Sequence, residues 1–259
     1  MVLYNNKAGK LPGFLLNSVP KSGTHLLKQI LLGIPETFHI PGKVIYEGLA
    51  KDHLKHVEIM SNLQENEFIM GHIYYSKRWA DMLDERNIKQ VFITRDLRDV
   101  IVSMTYFIHE KLPNHPLYET FTQKDKTQKD RYLHLIRGVD TDDVRYGNIA
   151  SWFNDFSDWL TDSNTLSLTY EELMQSENSR RDAIKRTAEY LFEDLKPSVS
   201  LNELVNQMEG NIRPAQSPTF RKGNIGSWKN EFDDEVIEAF KEVAGNLIIQ
   251  LGYENDSNW

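Results

Sequence analysis

The chain has 259 residues, 40% of them hydrophobic and 26% charged, enough to bury a sizeable core in one large domain or two small ones. A formal net charge of −8 argues against broad nucleic-acid or heparin-like surfaces, though a local basic pocket for a small anion remains compatible with it. No apolar run reaches the length of a membrane span, and the absence of cysteine tilts toward a reducing, cytoplasmic compartment.

Short apolar runs alternate with amphipathic stretches, the pattern of an α/β fold with a mostly parallel central sheet flanked by helices. The opening stretch, MVLYNNKAGKLPGFLLNSVP, holds only a short apolar run after its basic residues and reads as leading into a buried strand, not as a signal peptide. That strand is expected over 14–19, apolar except for Asn17 and Ser18, and a helix over 24–32 should follow, stopped by Gly33 and Pro35. Helices are expected at 52–63 and 76–87, with strands at 68–70 and 91–94. A helix should begin near Asp96 or Leu97, where apolar residues recur at helical spacing behind an aspartate. The polar stretch 110–147 predicts loops and short helices, and 148–161 an aromatic-rich helix. A further strand is expected at 165–169, with helices at 180–195 and 233–251. No repeat, low-complexity tract or linker interrupts the pattern, so a single domain over 1–259 is the expectation.

Three segments carry chemistry. In FLLNSVPKSGTHLLKQIL, residues 14–31, a strand runs through a tight turn into a helix whose N-terminus presents unpaired N–H groups and partial positive charge. Lys21 adds a full charge, Gly23 permits close backbone approach, and Ser22 and Thr24 add hydroxyl donors. This is a phosphate loop, but GxxxxGK[ST] is absent and the lysine precedes the glycine. A chance lysine in an ordinary strand–turn–helix is the competing reading. In VFITRDLRDVIVSMTYF, residues 91–107, Arg95 comes directly off a strand end, where open α/β sheets bind ligands, and its fork suits a dianionic phosphate. Arg98 and Asp99 read better as part of a surface salt-bridge cluster. In FRKGNIGSWKNEF, residues 220–232, two basic residues and two glycines form a loop that could close over a phosphate, although alone it resembles any exposed loop.

Together these segments resemble the PAPS-dependent sulfotransferase family, whose donor is 3′-phosphoadenosine 5′-phosphosulfate. PKSGTHL at 20–26 is similar to the family's PKSGTTW loop, RDLRDVIVSMTY at 95–106 to RNPKDVxVSxY, and RKGNIGSWKN at 221–230 to RKGxxGDWKN, in the same order. TYEEL at 169–173 resembles the family's YEDL element. The resemblance spans nearly the whole chain and implies a soluble enzyme that moves a sulfuryl group to a small molecule, releases 3′-phosphoadenosine 5′-phosphate (PAP), and needs no metal, nucleic acid or membrane. It implies that Lys21, with Ser22, Gly23, Thr24 and His25, contacts the 5′-phosphosulfate. Arg95 and Ser103 would hold the 3′-phosphate with Arg221, Lys222 and Gly223, Tyr170 would lie near the adenine, and Lys21, His72 and Ser103 would form the catalytic set. His72, in FIMGHIYYS, is the candidate base because it follows a strand and precedes the second motif. His53 and His56 lack metal-site spacing, and His25 reads as a ligand contact.

The chain departs from the family at Leu26 and Leu201, where adenine-stacking aromatics are usual, at Met70 where a lysine is usual, and at Ser227 in place of aspartate. The segments 34–50 and 104–160 are expected to line the acceptor pocket. Tyr106, Phe107, Tyr146, Trp152 and Phe153 could wall it, or could be ordinary core. Asp140, Asp142 and Asp143 could greet a cationic acceptor, but read more simply as a solvated helix start. A P-loop-like nucleotide kinase and a non-catalytic PAPS- or PAP-binding protein are the rival readings. Oligomeric state is not readable.

Overall fold

Segments rich in Phe, Leu, Ile and Val at residues 14–18, 68–72 and 90–94 are buried at every position but the last of the second, His72, as strands covered on both faces require. The computed structural model describes residues 9–47, 53–216 and 223–259, so Arg221 and Lys222 lie outside the described residues. In chain order the strands are β1 (Phe14–Ser18), β2 (Val44–Tyr46), β3 (Phe68–His72), β4 (Gln90–Thr94), β5 (Val139–Asp140), β6 (Arg145–Tyr146) and β7 (Thr165–Thr169). The helices are α1 (Thr24–Leu31), α2 (His53–Ser61), α3 (Lys77–Glu85), α4 (Leu97–Lys111), α5 (Tyr118–Thr122) and α6 (Gln128–Arg137). After these come α7 (Ile149–Ser157), α8 (Tyr170–Met174), α9 (Glu177–Leu191), α10 (Leu201–Gly210) and α11 (Asp234–Gln250), with 3-10 turns at Asp158–Leu160, Pro214–Gln216 and Ser227–Asn230. The residues divide into two compact units, one of Met1–Thr94 with Phe156–Gly223 and the other of Arg95–Asp155 with Asn224–Trp259.

The first unit contains a five-stranded sheet in the order β2-β3-β1-β4-β7, every pairing parallel. Register is fixed by apolar partners, with Phe14 opposite Phe68 and Leu16 opposite both Met70 and Val91. One face of the sheet packs Phe14, Leu16, Phe68, Met70, Val91, Ile93 and Leu168 against apolar residues of α1, α9 and α10. Central β1 has β3 on one side and β4 on the other: the chain first builds β2 and β3 on one side, then crosses over β1 to build β4 and β7 on the other. That reversal is the arrangement that opens a ligand crevice beyond the strand C-termini. β2 was not foreseen: three residues at a sheet edge, between segments without strong periodicity, carry little sequence signal.

The second unit is mostly helical. α4 packs with α5, α6 and the 3-10 turn Ser227–Asn230, while α11 packs on α6. Between Val100, Ile101 and Met104 of α4, Leu135 of α6, Tyr146 of β6 and Ile149 and Trp152 of α7 lies a small apolar cavity. Asp140 proves to sit on a two-residue strand opposite Arg145, with Asp142 and Asp143 at the exposed tip of that hairpin, so the acidic cluster is not a helix start. Of the suggested aromatic wall, Phe153 is fully buried core, and Tyr106 donates its hydroxyl to Glu231. Among the described residues no helix is long and apolar enough to cross a membrane.

Candidate active site

The loop after β1 is built from a turn that its own sequence partly resists. Ser22 N–H donates to Val19 C=O at 3.2 Å, with Pro20 and Lys21 between. Pro20 fixes the first central residue at negative φ, and Lys21 has φ +70°, which together make a type II turn. That second position favours glycine or asparagine, and a left-handed lysine is strained by about 1–2 kcal/mol. Strain kept at this residue marks a position held for something other than stability. Gly23, at φ +100°, is the N-cap of α1 and supplies no side-chain cap, so no side chain competes with an anion at the start of the helix, although Leu26 N–H already donates to Gly23 C=O at 2.9 Å. A Cβ on Gly23 would lie 2.7 Å from Tyr170 Cδ2, so both backbone and packing demand glycine. Ser22 Oγ is buried without a hydrogen-bond partner. Such an orphan costs about 1–3 kcal/mol unless a ligand oxygen accepts its proton. An uncapped helix start, a strained lysine and an orphaned hydroxyl suit a phosphate-type group.

His72 closes β3, next to β1 in the sheet. Its Nδ1 lies 2.8 Å from Ser18 C=O, and because a carbonyl only accepts, the neutral ring carries its proton on Nδ1 and its lone pair on Nε2. Ser18 Oγ lies 3.1 Å from the same Nδ1 and 2.8 Å from Thr24 Oγ1, so the imidazole is wired through Ser18 into the phosphate loop. Burial, and the positive charges of Lys21 and His25 after it, push the His72 pKa down to about 4, although part of the residue remains solvent-accessible. His25 is lowered too, first by burial and then by Lys28 and Lys21. The backbone beyond His72 is set by Asn17, a buried amide whose Oδ1 accepts from Ile73 N–H at 2.9 Å and whose Nδ2 donates to Ile73 C=O at 3.1 Å. Trp159 Nε1 donates to the same carbonyl at 2.9 Å. Neither Asn17 nor Ser18 was assigned a role from the sequence, yet two polar residues ending an apolar strand were the available signal. Tyr46, ending β2, sets its exposed ring 5.4 Å from the His72 ring.

Tyr170 starts α8 behind a capping box, with Thr169 and Glu172 exchanging side-chain and backbone hydrogen bonds. Besides covering Gly23, it donates its hydroxyl to Gly223 C=O at 3.0 Å. Met70 is buried in the sheet core, and Leu26 and Leu201 pack against that core.

In the second unit, Arg95 Nη2 donates to Asn224 C=O at 2.8 Å and pairs with Asp99 at 3.1 Å. Asp99 also accepts from the backbone N–H groups of Gly226 at 2.8 Å and Trp228 at 3.0 Å. Ser103 follows on α4 and is half-buried. The expectation that Arg98 and Asp99 belong to a surface cluster is overturned: they are 2% and 1% exposed. Arg98 pairs with Asp96 at 2.7 Å and Glu254 at 2.6 Å, and its guanidinium carbon lies 4.0 Å from the Trp228 ring and 4.4 Å from that of Trp259. The structure thus brings Lys21, Ser22, Gly23, Thr24, His72 and Tyr170 together in the first unit, and places Arg95 just before α4 and Ser103 on that helix in the second.

A loop suited to a phosphate-type group beside a neutral imidazole, both at the C-terminal ends of parallel strands, is an arrangement suited to group transfer in an α/β fold. A family model described as the sulfotransferase domain matches residues 11–252, and the chain belongs to the sulfotransferase family. It is similar to sulfotransferase 1E1 of Bos taurus, 24% identical over 250 residues that span 85% of this chain and 78% of the bovine protein. It is also similar to sulfotransferase 2B1 of Mus musculus, 30% identical over 175 residues, 60% of this chain and 46% of that protein. Against some curated relatives, then, the match spans only about half of the relative's length. Among solved structures, mouse sulfotransferase SULT7A1 complexed with PAP superposes with a TM-score of 0.62 at 20% identity, covering 92% of this chain and 84% of that one. Retinol dehydratase in complex with androsterone and PAP gives 0.62 at 18% identity, covering 91% and 80%. These likenesses agree with the α/β fold expected from the sequence.

Proposed function

We propose that this sulfotransferase takes its sulfuryl group from PAPS and delivers it to a hydroxyl or amine of a small molecule, with Lys21 and His72 as the reacting pair and without a metal. PAPS supplies an activated sulfuryl group on an oxygen bridged to its 5′-phosphate, and departs as PAP. The observation that carries the reading is the hydrogen-bonded chain His72–Ser18–Thr24, which ties a proton acceptor to the loop built for an anion.

His72 Nε2 removes the acceptor's proton as the acceptor atom bonds to sulfur. The bridging S–O bond breaks with its electron pair left on oxygen, and the Lys21 ammonium neutralises that charge as it develops. Ser22, Gly23, Thr24 and His25 hold the 5′-phosphosulfate end, and the Ser22 hydroxyl gains the acceptor it lacks. Arg95 and Ser103, with Arg221, Lys222 and Gly223, hold the 3′-phosphate, and Tyr170 lies near the adenine. The same cations that depress His72 are those an anion in the loop would offset, so ligand binding raises the basicity of the imidazole when the acceptor arrives. The exposed Tyr46 ring beside His72 supports an acceptor with a flat or apolar face. The complexes of retinol dehydratase with androsterone and with retinol make such acceptors the first to screen.

Isothermal titration with PAP, with and without magnesium and beside ATP, tests the proposal. Magnesium-independent PAP binding that falls sharply in Arg95→Ala is the expected result. Absent PAP binding together with magnesium-dependent ATP binding would overturn it in favour of a nucleotide kinase.

A further inference from the structure

Arg98 holds more partners than an isolated ion pair needs, and they come from three separate parts of the second unit. Asp96 grips its Nε and Nη2 from the start of α4, and Glu254 takes Nη1 from the segment after α11. Trp228, in the 3-10 turn, and Trp259 both approach its guanidinium, at 4.0 Å and 4.4 Å. Residues 255–258 are exposed, but Trp259 turns back and sets its ring at 5.6 Å from Trp228 and 6.0 Å from Phe240, both edge-on. Its indole N–H is buried with no hydrogen-bond partner among the described residues, and its ring also lies 5.2 Å from the Lys241 ammonium.

The consequence runs onward from Trp228. Its backbone N–H and that of Gly226 bond both oxygens of Asp99, and Asp99 in turn pairs with Arg95. Three residues past Trp228, Glu231 accepts the hydroxyls of Tyr106 at 3.1 Å and Tyr132 at 2.8 Å, anchoring the far end of the same turn. A guanidinium that must meet a phosphate needs its direction fixed before the ligand arrives, since ordering it on binding would reduce affinity.

We infer that the segment after α11 is a positioning clasp for the 3′-phosphate site: Glu254 and Trp259 fix Arg98, Arg98 fixes Trp228, and the turn carrying Trp228 fixes Asp99 and so the direction of Arg95. The inference rests on the assignment of Arg95 to the 3′-phosphate. Trp259, Arg98 and Asp99 are positioning residues, and none need touch the nucleotide.

The test is a double-mutant cycle read by PAP titration, with thermal melts to show that each variant is folded. Trp259→Ala weakens PAP binding about tenfold, within the range for loss of a desolvated cation–π contact. Trp259→Phe, which keeps an aromatic face for the guanidinium but loses the fused five-membered ring with its unbonded N–H, gives a smaller loss of about two- to threefold. Glu254→Gln, which leaves the aromatic packing in place, gives a loss of a few-fold. In the Arg95→Ala background, Trp259→Ala adds no further loss, because the guanidinium it positions is gone. If Trp259→Ala binds PAP like the native chain, or costs the same factor in both backgrounds, the clasp is wrong while the sulfotransferase reading stands. If the native chain fails to bind PAP, the parent assignment fails and takes the clasp with it.

Discussion

Acidification tests the environment assigned to His72. The imidazole is held at a pKa of about 4 by burial and by the charges of Lys21 and His25, against an ordinary 6.5. Between those values the unfolded chain carries a proton that the folded chain refuses, so stability is lost as pH falls through this window. One pKa unit corresponds to about 1.4 kcal/mol, and by pH 5 some 1.5 units of the difference are expressed, or roughly 2 kcal/mol. His115 is pushed down to about 4 by burial as well, and burial lowers His25 and His39, so the native chain alone would report several rings. Comparison with His72→Gln isolates the one. Urea unfolding followed by tryptophan fluorescence and far-UV circular dichroism at pH 7.5 and 5.0 should show the native chain losing about 1–2 kcal/mol more than the variant. In a histidine-ring NMR titration, the resonance missing from His72→Gln should stay neutral down to about pH 5. A midpoint near 6.5, or equal acid sensitivity in the two proteins, would refute the environment described for this ring.

Three further outcomes follow from the phosphate loop and its supports. Lys21→Gly relieves a left-handed lysine at φ +70°, so it should raise the melting temperature by about 2–4 °C while lowering kcat at least a hundredfold. Gly23→Ala places a Cβ 2.7 Å from the Tyr170 ring at φ +100°, and should cost about 2–4 kcal/mol in denaturant unfolding, partly recovered by adding Tyr170→Ala. Ser18→Ala keeps the carbonyl that orients His72 but removes the hydroxyl link to Thr24. It should lower kcat about tenfold with little change in PAP affinity, measured by steady-state turnover and titration.

What the sequence disclosed and what it withheld separate along physical lines. The loop at 19–24 was legible because a proline, a lysine and a glycine in that order constrain a local turn, and local constraints are written locally. β1, β3 and β4 were legible as apolar runs, although the structure extends β3 to His72 and begins β4 at Gln90. Asp140 and its neighbours were misread because a two-residue strand has too few positions to show a period. Arg98 and Asp99 were misread for a different reason. Charged residues default to solvent, and what buries these two comes from Trp228, Glu254 and Trp259, more than a hundred positions away. Asn17 and Ser18 stood visibly out of place in an apolar strand, but only the pairing with Ile73 and His72 gives them a task. The expectations for Arg221 and Lys222 fall outside the described residues.

The pairing of β4 with β7 also bears on how the chain is made. Gln90 Nε2 meets Thr165 Oγ1 across 75 positions of sequence, and the whole of Arg95–Asp155 intervenes. During synthesis, β4 leaves the ribosome long before its outer neighbour exists. Until residues 165–169 emerge, that flank of the sheet offers a row of unpaired amide and carbonyl groups to any strand nearby. Synthesis that stalls in this interval leaves that flank of β4 open to pairing with another chain, one strand in from what becomes the sheet edge.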